Sequence, residues 1–375
     1  MFIYLVSCLC SFLLDSLKNY KQSRAFSWFL IGFVFIILCF GYMTGSDWRS
    51  YELIYDGEMT QGRYSLYELG FVRLLNVSHW IISDFWIFNA LCKIAFLWSF
   101  VLMTKCYTDK VWTVVGASFV FSLLFMLIDC PMRFMMALTL VQLGIFSFKA
   151  GRKWMGWLLF AVSVLFHVTS LIVVLFYGSF FLFKRLINAS NFLLLIVYIV
   201  FVVLPSIPAF FDFLYSRVSS ISLFNRFMDA YSDYDVQTYK TIGFWKNFVL
   251  GVILILSKKH ILKLKNGEEL FYFSYLYFAL SGVLSCIPTG FRLGILNGFF
   301  SAITIVGLLF SHDYFPSIQS YIRIGALGAL IVLLSHTVSN NWKYTPYSNS
   351  IPYIVFGHLP YSYRDTYNVS YHQNH

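Results

Sequence analysis

The sequence is short of charge. Of 375 residues, 12% are Asp, Glu, Lys or Arg and 59% are hydrophobic, and the mean hydropathy is +0.71. A soluble domain needs a charged shell around its core, and no stretch between the apolar runs is long enough to supply one. The chain also has no Gly-rich phosphate loop, no metal-ligand spacing and no Ser-His-Asp order. What chemistry remains is acid–base and electrostatic work by His, Asp and Arg, without metal or cofactor. The cysteines, Cys8, Cys10, Cys39, Cys92, Cys106, Cys130 and Cys286, sit in or beside apolar runs and read as small hydrophobes. The net charge of +10 reads as positive-inside topology, so no nucleic-acid partner is expected. The first fifteen residues lack a basic start and a small-residue cleavage site, and read as a retained span rather than a signal peptide.

Long hydrophobic runs are plentiful. They lie near residues 2–15, 26–43, 85–104, 111–128, 132–149, 190–205, 243–257, 270–286, 292–311 and 322–338. Each suits a single membrane crossing of roughly 20 residues. One further stretch does not. Trp154–Phe183 is 30 residues of apolar sequence in which His167 is the only acidic, basic or histidine side chain. It is too long for one pass and short for two, and a titratable group inside it costs about 3 kcal/mol or more unless it is used.

Basic short loops orient the chain. Lys18, Lys21 and Arg24 put the first loop inside, as do Lys105 with Lys110, and Lys149 with Arg152 and Lys153. The densest cluster, Lys258, Lys259, Lys263 and Lys265, belongs inside as well. If Trp154–Phe183 crossed once, Lys184 and Arg185 would fall outside and every later loop would invert. If it crosses and returns, all these cations are inside. The stretch is therefore expected to be a hairpin of two short helices, each below a full crossing. Its apex, near His167, lies on the outer side, where irregular backbone lining a cavity is tolerated. The expected fold is an all-α polytopic membrane protein of about 12 transmembrane or re-entrant helices. One integral membrane domain covers residues 1–339, with both termini outside, outward loops at 44–84 and 206–242, and an outward polar tail at 340–375. In loop 44–84, Leu66, Leu69, Phe71, Val72, Leu74, Leu75 and Trp80 suggest a helix lying on the membrane.

A second asymmetry concerns the cations. Inside loops favour lysine, whereas the outer side favours arginine: Arg49, Arg63, Arg73, Arg133, Arg217, Arg226, Arg292 and Arg364, against Lys240, Lys246 and Lys343. Arginine is the residue for bidentate phosphate and carboxylate recognition, so the outer face reads as built for an anionic, phosphorylated ligand. The alternative for any one of them is pairing with an outer acid such as Asp47, Glu52, Glu68, Asp129 or Asp229. Polar groups gather at five outer places: Gly45–Tyr51, Asp129–Arg133, His167 with Thr169 and Ser170, Pro288–Arg292, and Arg226-Phe227 with Tyr231 and Tyr234. Lys93, in mid-span, is expected to pair with an acid.

In this order and spacing, these features resemble the EpsG family of polysaccharide polymerases, related to the Wzy O-antigen polymerases, along most of the chain. The motif Gly-x-Asp followed by Tyr matches Gly45, Asp47 and Tyr51, and Glu-x-Gly-Phe matches Glu68, Gly70 and Phe71. Arg-x-x-x-Ala-Leu matches Arg133, Ala137 and Leu138, with Phe134 where many members carry Gln. A basic loop before Phe-His-x-Ser/Thr matches Arg152-Lys153 and Phe166–Thr169, Arg-Phe with a following Tyr matches Arg226, Phe227 and Tyr231, and Tyr-x-Pro-Tyr matches Tyr344–Tyr347. The resemblance implies a GT-C-like polymerase architecture and a metal-independent, inverting glycosyltransferase. Its substrates would be two undecaprenyl-diphosphate-linked saccharides at the outer face of the bacterial inner membrane. A chain-length regulator and a flippase would be its membrane partners.

On that reading Arg133 and Arg292 bind the diphosphate, with Arg226 a third candidate and Arg49 beside them. His167 or Asp47 is the general base; His is better matched in pKa, and Asp47 lies in the better-specified motif. His167 is also a candidate hydrogen-bond partner of the diphosphate. Tyr51, Glu68 and Tyr347 orient sugar, with Asp129 and Tyr231 nearby. A ligase of similar architecture, a lipid-linked oligosaccharide flippase and a membrane acyltransferase are the alternatives. A flippase should show internal repeats and charges along a full path, and an acyltransferase an inward-facing donor site; neither pattern is present.

Overall fold

Backbone inside a bilayer has no water to bond to, so an apolar run must close its hydrogen bonds within itself. The computed structural model describes residues 2–17, 24–45, 47–57, 68–203, 207, 217, 242–285, 290–311, 318–339, 343–345, 347–360 and 362–363, and these are mostly helical, with no strand. Loop 206–242, with Arg226 and Tyr231, lies outside the described residues except at its edges and at Ile207 and Arg217, as do Arg63, Arg364, Cys286, Pro288 and Pro346.

The chain divides into two compact units, Met1–Leu171 with Ile318–His375, and Ile172–Ser317. The first contains α1 (Phe2–Leu17), α2 (Arg24–Cys39), α3 (Trp48–Tyr55), α4 (Leu69–Ile81), α5 (Phe85–Lys105), α6 (Val111–Ala117), α7 (Met132–Lys149) and α8 (Lys153–Val164). Helix α9 (Thr169–Phe183) carries the chain into the second unit, which holds α10 (Asn191–Val203), α11 (Ile242–Leu256), α12 (Lys258–Ile261), α13 (Gly267–Ser285) and α14 (Ile295–Phe310). The chain then returns to the first unit with α15 (Gln319–Ser339) and α16 (Ile351–Phe356).

Among the described residues, five helical segments are long and apolar enough to cross a membrane: Phe85–Lys105, Met132–Lys149, Thr169–Asn188, Gly290–Phe310 and Gln319–Ser339. The other apolar helices, such as Phe2–Leu17 and Asn191–Val203, are shorter. The run at 111–128 is not one helix. It tightens into a 3-10 turn at Ser118–Val120, breaks at Ser122, whose φ is +77°, and resumes as a π turn over Phe125–Asp129. Trp154–Phe183 does break at His167, between α8 and α9. Its arms are unequal, however. The first helix has 12 residues, whereas the second continues through the Lys184–Asn188 turn to 20. The expectation of two arms below a crossing holds only for the first.

In the first unit α7 packs between α5 and α8, and α1 packs on α2 and α6. Helices α5 and α7 run side by side in one direction. Cys130 Sγ lies 3.4 Å from Asn89 Oδ1, Ser99 Oγ donates to Gln142 Oε1, and Lys149 Nζ sits 5.2 Å from the centre of the Tyr107 ring. Asp84 caps α5 by accepting from the backbone N–H of Trp86 at 2.7 Å and of Ile87 at 3.1 Å. Lys105, Lys110, Lys149 and Arg152 therefore share one end of this pair, and Asn89, Asp129 and Arg133 the other. Lys93 lies between, 1% exposed. The acid expected beside it is not found among the described residues; Cys39, Cys92 and Cys130 are among its neighbours.

The C-terminal segment is built into this unit. Ser350 N–H donates to Phe40 O at 2.7 Å, Tyr42 N–H to Ser348 O at 2.9 Å and Gly45 N–H to Lys343 O at 3.1 Å. Lys343 Nζ lies 2.9 Å from Asp129 Oδ2, whose side chain is 4% exposed. Removing a cation that hydrogen-bonds a buried carboxylate costs about 1.5–3 kcal/mol. Lys343→Ala should therefore lower the melting temperature of the purified protein. The double variant Lys343→Ala/Asp129→Asn should recover part of the loss, and no recovery would count against this pairing.

Candidate active site

Glu68 stands immediately before α4, with φ −65° and ψ 142°. That is an ordinary N-cap backbone, yet its carboxylate makes no capping bond and reaches across to other elements. Oε2 accepts from Arg133 Nη1 at 2.9 Å. Oε1 lies 3.1 Å from His167 Nδ1 and accepts from the backbone N–H of Val168 at 3.3 Å. The Arg133 guanidinium also acts electrostatically on the Tyr51 hydroxyl. Segments far apart in sequence thus meet on one carboxylate.

Local chemistry explains how each arrives. Gly70 N–H donates to Leu165 O at 2.9 Å, and a Cβ on Gly70 would lie 2.6 Å from that same oxygen. Only glycine lets the start of α4 lie against the break that carries His167. Arg133 is placed by a sharp turn in which Cys130 adopts φ +53° ahead of Pro131, so α7 begins with Arg133 in its first turn and no acid there. Cation and helix N-terminus then act together on any anion. The His167 ring is held edge-on by Phe134, centroids 5.6 Å apart. Gly45 has φ +82°, and a Cβ there would lie 2.5 Å from Asp129 Cα; this contact ties the loop carrying Asp47 to the turn before Arg133.

The electrostatics follow. Burial opposes ionisation of Glu68, but the adjacent His167 imidazole and the Arg133 charge outweigh it and lower its pKa to about 2. Glu68 is an anion at any working pH. A carboxylate can only accept, so Glu68 Oε1, 3.1 Å from Nδ1, favours the imidazole tautomer that carries its proton there. Burial pushes the Tyr51 hydroxyl up, and the Arg133 charge only partly offsets this, so Tyr51 stays a neutral donor. The depressed Glu68 value fixes a pH dependence. Its contribution to stability is present above the ordinary value of 4.5 and is lost as pH falls toward about 2. Acid unfolding of wild type should contain this component and that of Glu68→Gln should not; identical acid profiles would refute it.

The family whose sequence model matches, over residues 24–355, is the EpsG family. The chain belongs to the EpsG family. No curated protein and no solved structure matches it. The family is one of Wzy-like polysaccharide polymerases, which are enzymes of the glycosyltransferase type, and the apolar helices make this member a multi-pass membrane protein.

Four of the EpsG-like motifs converge. Tyr51 meets Arg133, and Phe71 packs its ring against that of Tyr51 with centroids 5.5 Å apart. Asp47 precedes α3, and its charge acts on Tyr51 and Cys130. Glu68 joins Arg133 to His167. The other candidates have different neighbours. Arg49 pairs with Glu52 at 2.7 Å, and Glu52 also accepts from Trp86 Nε1 at 3.1 Å. Asp129 is held by Lys343. Tyr347, in the late EpsG-like motif, bonds Ile36 O at 3.4 Å and packs edge-on to Tyr4, so its described contacts serve docking of the C-terminal segment. Arg292 lies in the second unit, in the 3-10 turn Gly290–Gly294. Sequence reasoning offered Glu68 as a partner for an outer arginine but not as the link between Arg133 and His167, and it gave Lys343 no partner. The only available hint was the Gly70 that follows Glu68, a residue suited to close backbone approach.

Proposed function

We propose that this EpsG-family chain joins undecaprenyl-diphosphate-linked oligosaccharide repeat units into O-antigen, capsule or exopolysaccharide at the outer face of the bacterial inner membrane. It acts as a metal-independent, inverting glycosyltransferase in a GT-C-like fold of about 12 transmembrane or re-entrant segments. The observation that carries this reading is the Glu68 carboxylate held between Arg133 and His167, in a chain whose family polymerises polysaccharide.

The chemistry follows from those three groups. An acceptor hydroxyl attacks the anomeric carbon of the donor, the new glycosidic bond forms as the bond to diphosphate breaks, and the hydroxyl proton passes to His167 Nε2. Glu68 fixes the imidazole tautomer and stabilises the imidazolium that forms. Arg133, at the start of α7, neutralises the charge that grows on the departing diphosphate. Tyr51 donates to a sugar or phosphate oxygen, and Asp47 is the second candidate base; Arg292 and Arg226 stand, on their sequence motifs alone, as further anion-binding candidates. A chain-length regulator and a flippase share the membrane and the substrate.

Deletion of the gene in its native host, followed by gel analysis of the surface polysaccharide, tests this. A polymerase loss leaves single repeat units on the lipid anchor or core. Unattached polymer would identify a ligase instead, and the absence of any repeat unit a flippase.

A further inference from the structure

In the second unit the chain turns between α9 and α10 through the 3-10 segment Lys184–Asn188. Beside it lies a cavity of about 550 Å³, lined by Phe181, Leu182, Lys184, Arg185, Ile187, Asn188 and Glu268. The lining is divided in character. It combines two cations, a carboxylate and an amide with apolar side chains, of which Phe181 is 68% and Leu182 78% exposed. Exposed phenylalanine and leucine beside a cationic turn suit acyl chains, not water.

The charges are not balanced. Lys184 Nζ is committed to Glu268, 2.6 Å away. That leaves Arg185 with no ion-pair or hydrogen-bond partner among the described residues. A third cation, Lys258, adjoins the same turn, with Nζ 2.6 Å from Ala189 O and above the Phe271 ring. Loop charge places this turn inside, where the membrane surface offers anionic headgroups.

We propose that this cavity binds the headgroup of an anionic phospholipid of the inner leaflet. Arg185 takes the phosphodiester, Asn188 donates to the glycerol or phosphate oxygens, and the first methylenes of the acyl chains lie along Phe181 and Leu182. The shared chemistry is a phosphate anion. The apolar side chains of the lining select a lipid over free phosphate. The proposal does not depend on the polymerase reading.

The test uses the full-length protein in nanodiscs of phosphatidylcholine, with and without phosphatidylglycerol, read by thermal shift and by lipid retention in native mass spectrometry. Phosphatidylglycerol should raise the wild-type melting temperature and remain bound. A cation near an anionic surface contributes roughly 1 kcal/mol, so retention should weaken about 5-fold in Arg185→Gln and about 30-fold in Arg185→Glu. Lys259→Glu, at an exposed lysine outside the cavity lining, makes the same charge change and should weaken retention clearly less than Arg185→Glu. Equal losses in Lys259→Glu and Arg185→Glu would reduce the effect to general surface charge and overturn the proposal. So would an equal thermal shift from inorganic phosphate alone, or one from phosphatidylcholine matching that from phosphatidylglycerol. Arg185→Gln, which adds no acid, keeps the test decisive if Arg185→Glu does not fold.

Discussion

Arg133→Ala is expected to reduce chain extension by about 100-fold to 1,000-fold, the usual effect of deleting a group that stabilises charge developing in the transition state. The surface polysaccharide should collapse toward single repeat units on a gel while the protein remains in the membrane at wild-type level. Arg133→Lys should recover only part of the activity. It keeps the charge but loses the planar fork that holds Glu68 and can turn to a diphosphate. Loss of Arg133 also leaves Glu68 beside His167 alone, so the double variant Arg133→Ala/Glu68→Gln separates fold from chemistry: it should regain stability without regaining polymer. His167→Ala should cost about 100-fold or more as a lost base, whereas Glu68→Gln, which leaves His167 in place but no longer fixes its tautomer, should lie between wild type and His167→Ala. Normal chain lengths in Arg133→Ala at normal expression would remove the anion-binding role.

The second large effect is structural. Gly45→Ala should destabilise the first unit by about 3 kcal/mol or more. Two penalties coincide there, a φ of +82° and a Cβ placed 2.5 Å from Asp129 Cα. Gly57 gives the control, since it has φ +75° with nothing within 4 Å of an added Cβ. Gly57→Ala should cost only the backbone term, about 1–2 kcal/mol. The difference in melting temperature between the two variants isolates the backbone contact that ties the Asp47 loop to the turn before Arg133. Equal melting temperatures would mean that Asp129 yields freely and that this contact does not hold the site.

The helices were legible because a bilayer permits few other answers: apolar runs near 85–104, 132–149 and 322–338 became α5, α7 and α15 with ends shifted by a few residues. The break at His167 was legible for the same reason, since a 30-residue run cannot stay one crossing. The break at Ser122 was not, because Phe, Val and Leu continue through it and only the backbone turn at φ +77° interrupts them. Nor was the C-terminal segment. Its polar composition suggested a solvated tail, but Lys343 was needed to neutralise an aspartate 214 positions earlier. The candidate site was half legible. Asp47, Tyr51, Glu68, Arg133 and His167 could be named from short motifs, but no periodicity links Glu68 to His167, 100 positions away, and the joining carboxylate was assigned to sugar.

The side-by-side run of α5 and α7 has a consequence for how the family can vary. Three contacts spaced along it, at Asn89, Ser99 and Tyr107, act as fixed rungs between the two helices. A helix turns about 100° per residue. A single residue inserted into α7 between Arg133 and Gln142 would thus swing Arg133 away from Glu68 while the lower rungs stayed engaged. Insertions should therefore be tolerated in the loops of such chains long before they are tolerated within this ladder, whose length sets the aim of the arginine.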